Sequence, residues 1–193
     1  MFDISEAITK ITTESAGKDL YIIGISGFGG SGKSTLAREL ADRLGNCNIV
    51  SIDSFSSQFP WRRDSDWSNF NRKRLIEEVI DPAKKNIWPI IYDSAFWPGV
   101  KAEITISLEK KMFQIVEGCS IFHPETVSYF DFKIWINLSL ELATKFGKNR
   151  DLLKDNNTEI ADIWDNLFMP NDRDFFNKYR PDGAADIFID NKI

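Results

Sequence analysis

Between the apolar run Leu20-Tyr21-Ile22-Ile23-Gly24-Ile25 and a helical pattern opening at Ser34, the chain carries Gly27-Phe28-Gly29-Gly30-Ser31-Gly32-Lys33-Ser34. Glycines this dense suit neither a helix interior nor a strand, so the segment reads as a tight loop joining strand to helix. A main chain that curls so sharply turns several N–H groups toward one point, and the helix start behind it adds a favourable dipole. That arrangement suits a phosphate chain. The string also fits G-x-x-x-x-G-K-[ST], the P-loop pattern, in which the lysine reaches the outer phosphates and the hydroxyl ligates Mg²⁺. Gly27, Gly29, Gly30, Ser31, Gly32, Lys33, Ser34 and Thr35 are therefore the candidate nucleotide contacts, with ATP and Mg²⁺ expected. The bland alternative is a glycine-rich turn with an incidental lysine. The strand before it and the helix after it argue against that.

The rest of the chain alternates in the same way. Ile4, Ala7, Ile8 and Ile11 follow helical spacing, and Ser34 to Leu44 is a helix stopped by Gly45. Asn48 to Ile52, Met112 to Val116, Phe132 to Leu138 and Ala185 to Ile189 read as strands, with shorter candidates at Ile90 to Tyr92 and Glu103 to Leu108. Leu75, Ile76, Val79 and Ile80 mark a helix expected to stop at Pro82. Ile160, Ile163, Trp164, Leu167 and Phe168 mark another, expected to break at Pro170. Residues 53–71 read as a long irregular loop. Strands alternating with helices predict an α/β fold, a parallel sheet covered on both faces. A chain of 193 residues fits a single domain, 1–193.

Composition narrows the partners. Apolar residues make up 42% and charged residues 27%, an ordinary globular mixture, and the net charge of −5 gives no reason to expect DNA or RNA. No apolar stretch is long enough to span a membrane, and the start of the chain lacks a basic segment followed by an apolar run. The cytoplasm is the expected location. Cys47 and Cys119 are far apart and read as buried thiols, and with His123 as the one histidine no zinc site can be assembled from the usual ligands.

In parallel α/β sheets, ligands sit beyond the carboxyl ends of the strands. Asp53 and Glu117 fall there. One carboxylate near the phosphates can hold Mg²⁺, and a second can accept the proton of an attacking hydroxyl. Two ordinary strand-end acids on the surface would look the same. The loop from Phe55 to Phe70 offers Trp61, Arg62, Arg63, Asp64, Asp66 and Trp67. Aromatic planes with charged groups suit a flat polar ring and a sugar, although Trp61 and Trp67 could equally pin the loop to the sheet. Trp88, Trp135 and Trp164 read as core. His123 is a loop residue that either touches substrate or is simply exposed.

Further signatures follow in order. Asp53-Ser54-Phe55 comes after the second strand, Tyr92-Asp93 after Pro89, and Glu117-Gly118 at a buried strand end. Arg150-Asp151 follows, and then Ala185-Asp186 opening the last strand. In this ordered set the chain resembles the uridine kinase family of P-loop kinases, over nearly its whole length after the first helix, and it looks closest to the compact uridine-kinase-like proteins. The resemblance implies a three-layer sandwich of about five parallel strands, Mg-ATP as donor, and phosphorylation of a nucleoside 5′-hydroxyl. It gives Asp53 the role of base, and Glu117, with Ser34, a place near magnesium. Lys33 and Arg150 join Asp53 as catalytic candidates, Arg150 in a lid spanning about 145–157. Substrate insertions fall at about 54–70 and 92–102, with Phe55, Trp61, Arg62, Tyr92, Asp93 and Trp97 as candidate acceptor contacts. The chain departs from the pattern in two places. No histidine follows Tyr92-Asp93, and Arg150 is the one arginine between Lys145 and Lys154.

Rival functions fit less well. A GTPase needs a guanine-reading Asn-Lys-x-Asp, and neither Asn177-Lys178 nor Asn191-Lys192 is followed by that aspartate. A motor or transporter ATPase needs further signature loops. A nucleotide-binding regulator without catalysis stays open, as do nicotinamide riboside, pantothenate or a sugar phosphate as acceptor in place of a nucleoside.

Overall fold

The computed structural model describes residues 3–56, 62–94, 104–155 and 159–191. Helix α1 (Ser5–Glu14) leads into strand β1 (Tyr21–Ser26), the glycine-rich loop and helix α2 (Lys33–Leu44). Strand β2 (Cys47–Ser51) ends in a 3₁₀ turn, Ile52–Phe55. Helix α3 (Arg72–Leu75) runs through a π-wound stretch, Ile76–Ile80, into α4 (Asp81–Lys84). Strands β3 (Ile90–Ser94) and β4 (Ile104–Leu108) precede β5 (Phe113–Glu117) and β6 (Phe132–Asn137). Helix α5 (Leu140–Asp155) is followed by α6 (Glu159–Ile163), a second π-wound stretch at Trp164–Phe168, α7 (Met169–Tyr179) and β7 (Ile187–Asp190).

Five strands make one parallel sheet in the order β2-β5-β1-β6-β7. β1 lies at its centre, with Ile23 opposite both Ile115 and Phe132, and every residue of β1 is buried. That is why its sequence is an unbroken apolar run: a central parallel strand is covered on both faces. Alternate residues feed two cores. Ile23 and Ile25 pack with Ile4, Ile11, Leu36 and Leu40 on the face covered by α1 and α2. Ile22 packs on the other face with Leu75, Val79, Trp164 and Phe175. Each such aliphatic side chain contributes about 1.5–3 kcal/mol by leaving water, so the sheet is held from both sides. The expected sandwich is therefore present.

Several local expectations are corrected. Pro82 and Pro170 do not end their helices. Each follows a π-wound stretch by two residues and sits inside the first turn of the helix that continues. Proline removes an N–H and crowds the carbonyl four residues back, and widening the preceding turn makes room for both. β3 and β4 pair with each other as an antiparallel hairpin and stand apart from the main sheet. The segment after Phe55 is tied down at its ends by a bridge between Ser56 and Phe70, and the Asn71 N–H donates to the Phe55 carbonyl. No helix among the described residues is long and apolar enough to cross a membrane.

Candidate active site

The glycine-rich loop leaves the carboxyl end of β1 and delivers its last residues into α2. Gly30 and Gly32 have φ of 81° and 99°, the left-handed region that glycine alone enters cheaply. Gly30 has a second constraint. A Cβ there would lie 2.1 Å from the Ala143 carbonyl oxygen and 2.6 Å from the Gly147 nitrogen, so the loop packs directly on α5. Lys33 opens α2, and its Nζ donates to the Phe28 carbonyl at 2.8 Å, folding the side chain back over the loop.

A cavity of about 330 Å³ opens above this loop. From the loop and α2 it takes Gly29, Gly30, Gly32, Lys33, Ser34 and Thr35. Asp53 enters from the turn after β2, Glu117 from the end of β5, and Arg150 from α5. The sequence candidates for phosphate, metal and catalysis thus meet in one place. Gly27 and Ser31 stand behind them: Ser31 is fully buried, and a Cβ on Gly27 would lie 2.9 Å from its Oγ.

The electrostatics of the cavity are tense. The Ser34 hydroxyl donates to Glu117 Oε1 at 3.1 Å, and Glu117 is 4% exposed. Burial pushes the Asp53 carboxyl up to about 6, and the Glu117 carboxylate pushes the same way, while Lys33 and Arg150 pull it back. The Arg150 guanidinium is held by Asp151, with Nε to Oδ1 at 2.6 Å and Nη2 to Oδ2 at 3.0 Å. Asp151 in turn accepts from the Trp164 indole at 3.0 Å. The region expected as a lid is helical as far as Asp155, so Arg150 is carried by a helix and not by a loop. Trp164 was expected in the core. It is buried there, and it also lines the cavity.

The acceptor candidates are placed less directly. Phe55 and Tyr92 stack on each other, ring centroids 5.1 Å apart, within the core, and neither lines the cavity. Asp93 is exposed on the hairpin and accepts from the Thr105 hydroxyl at 2.7 Å. Arg62 is exposed, and its carbonyl accepts from Asn171. Trp61 and Trp97 lie outside the described residues. Trp67, Phe70 and Phe168 line the cavity instead. His123, expected at substrate or in solvent, is in neither place. It is buried between Phe175 and Tyr179, and burial, with Arg72 nearby, lowers its proton affinity. Cys47 and Cys119 are free and partly buried, and burial pushes the Cys119 thiol well above its usual range.

Sequence reasoning missed Asp172. It lies in α7, 3% exposed, and accepts from the Gly29 N–H at 2.6 Å and from the Trp67 indole at 3.0 Å. Burial lifts this carboxyl to about 6 against the pull of Lys33 and those two donors. A signal was available, because Asp172 interrupts the apolar stripe that runs through Trp164, Phe168 and Phe175.

No protein-family profile matches the chain. A 35-residue stretch is 54% identical to human nicotinamide riboside kinase 1, a match that spans 18% of each chain. Over almost the whole length the likeness is structural. A possible uridine kinase from Bacillus stearothermophilus superposes with a TM-score of 0.66 at 16% identity, covering 96% of this chain and 98% of that one. A provisionally assigned fructose transport system kinase from Silicibacter sp. TM1040 gives 0.73 at 18% identity, covering 91% and 94%. The fold of this chain is similar to that of these uridine-kinase-like and related P-loop kinases.

Proposed function

We propose that this chain transfers the terminal phosphate of ATP to a hydroxyl of a small molecule, with a nucleoside as the favoured acceptor. The observation that carries the reading is the meeting of Asp53 with Lys33, Ser34, Glu117 and Arg150 in one cavity above the glycine loop. A protein that only bound nucleotide would need the loop, but not a second carboxylate, half-buried, in the same cavity.

Each residue then has a task. The N–H groups of the loop and the start of α2 hold the phosphates, and Lys33 neutralises the outer ones. Hydroxyl and carboxylate oxygens suit a hard cation that keeps several waters, so Ser34 and Glu117 fit Mg²⁺ as partial ligands. When bound, Mg²⁺ supplies charge neutralisation across the phosphates. Asp53 orients the acceptor hydroxyl and takes its proton as that oxygen bonds to phosphorus and ADP leaves. A carboxyl lifted to about 6 is a better proton acceptor than an ordinary one and is still ionised at neutral pH. Arg150 balances the charge of the transferring group.

Nicotinamide riboside is a second acceptor to weigh, because of the short identical stretch shared with its human kinase. The test is ADP release from Mg-ATP across nucleosides, nicotinamide riboside, pantothenate and sugar phosphates, with Lys33→Ala as control. One acceptor should raise ADP release well above the water background, and the variant should abolish it. Release that no acceptor stimulates, or that survives Lys33→Ala, would sink the proposal.

A further inference from the structure

The acceptor-side loop and the phosphate loop are not neighbours in sequence, yet one carboxylate holds both. Asp172 takes the Gly29 N–H on Oδ2 and the Trp67 indole N–H on Oδ1. The residue before it repeats the pattern. Asn171, fully buried, accepts from the Arg63 guanidinium at 2.8 Å and from the Asp64 N–H at 3.0 Å, and donates to the Arg62 carbonyl at 3.2 Å. The first turn of α7 is therefore bonded to the phosphate loop on one side and to residues 62–67 on the other.

Trp67 is a costly place to anchor. Its φ of 51° puts a bulky residue in the left-handed region, and its ring packs on Phe70 and Phe168 while lining the cavity. Strain of that kind persists only where the surroundings over-determine it, and it is common at sites with a task. A buried carboxylate is also an expensive connector. For tying one loop to a helix, a serine or an amide would serve. Here the two N–H donors, from different loops, reach different oxygens, and an amide in the same place would turn its NH₂ group toward one of them.

We propose that Asp172 is a positioning residue that couples the two halves of the site, so that occupancy of the phosphate loop sets the acceptor wall built on Trp67. This deepens the proposed kinase reading and rests on it for the nucleotide arm of its test. Gly29 cannot shift without drawing on Asp172, and Asp172 cannot shift without releasing Trp67. Binding at the loop therefore orders residues 62–70, and an acceptor resting on Trp67 tightens the loop in return, as linkage requires.

The test reads one loop while perturbing the other, by amide hydrogen exchange. In the ligand-free protein, Trp67→Phe removes the indole N–H and leaves Gly29 untouched. Exchange at the Gly29 amide should accelerate by about fivefold or more, as a local opening becomes easier. In the second arm Mg-ADP is added. Exchange at residues 62–70 should slow in the wild type but not in Asp172→Asn, even where that variant still binds Mg-ADP. Unchanged Gly29 exchange in Trp67→Phe overturns the coupling, and so does equal slowing of residues 62–70 in Asp172→Asn and the wild type. If Mg-ADP does not bind the wild type, the kinase reading fails, and the ligand-free arm decides the coupling alone.

Discussion

At the residue scale, Asp53 carries a conflict between stability and function that makes it testable in two ways. Its carboxyl is raised from 3.8 to about 6 by burial and by Glu117. In the folded protein it therefore holds its proton where the unfolded chain has lost it. The protonated form's contribution to stability is fully present below the unfolded value and disappears as pH rises through about 6. Asp53→Asn keeps the shape and removes that dependence. The variant should match the wild type near pH 4 and exceed it by about 1–3 kcal/mol at pH 8, measured by urea unfolding without magnesium. His123, whose proton affinity is lowered, acts in the opposite sense as pH falls, but equally in both proteins, so the difference between them isolates Asp53. The same substitution should leave ATP affinity equal or better while cutting phosphoryl transfer by roughly 10²-fold. A variant that is less stable at pH 8 would show that the Asp53 carboxylate is not strained by its surroundings, and one that loses ATP affinity would assign Asp53 to metal binding and move the role of base to Glu117.

At the element scale, the chain's own pattern disclosed the strands and helices that face the sheet, because burial on both faces leaves long apolar runs and burial on one face leaves a stripe. It disclosed less where backbone geometry overrides a local rule. Pro82 and Pro170 read as stops, yet the π-wound turns before them let the helices run on. Helix α5 left a weak stripe because its inner face is made for close approach, and a glycine does not register as apolar. Gly147 is the key to that approach. A Cβ there would meet the Trp164 ring at 2.2 Å, while on the other side a Cβ on Gly30 would lie 2.8 Å from the Gly147 Cα. Phosphate loop, α5 and the π-wound stretch are thus stacked through two glycines. Gly147→Ala should destabilise the protein by about 1–3 kcal/mol, since neither a backbone nor an indole can give way cheaply. Because Trp164 also holds Asp151, and Asp151 holds Arg150, turnover should fall more than nucleotide affinity does. Thermal unfolding with steady-state kinetics checks both. A variant with unchanged melting temperature and kcat would show that α5 can slide without consequence.

At the scale of the whole molecule, the part of the cavity built by the glycine loop was legible in the sequence and its aromatic lining was not, for a physical reason. Phosphate binding needs particular residues at fixed spacing on one strand–loop–helix unit, so Gly27 to Ser34 is a local signal. The aromatic lining of the cavity, Trp67, Phe70, Trp164 and Phe168, with Asp172 bonded to Trp67, is scattered over more than a hundred positions and shares no spacing. Phe55 and Tyr92 matched a pattern but serve the core. This division leads to a measurement on the intact protein. The cavity draws on the ends of β1, β2 and β5 and on helices α2 and α5, so a ligand seated there ties most of the sheet's carboxyl edge together. Mg-ADP that binds only the folded state, at a hundred times its Kd, adds about 2.7 kcal/mol. For a chain of this size that corresponds to a rise in Tm of about 5–10 °C. Lys33→Ala, if it weakens binding about a hundredfold, should leave a rise under about 2 °C at the same concentration, because the logarithm is then nearly exhausted. Asp53→Asn should keep the full rise, since its carboxylate repels phosphate and contributes nothing to holding ADP. An equal rise in the wild type and Lys33→Ala would place the nucleotide away from the glycine loop. Loss of the rise in Asp53→Asn would mean that the carboxylate is what holds the magnesium.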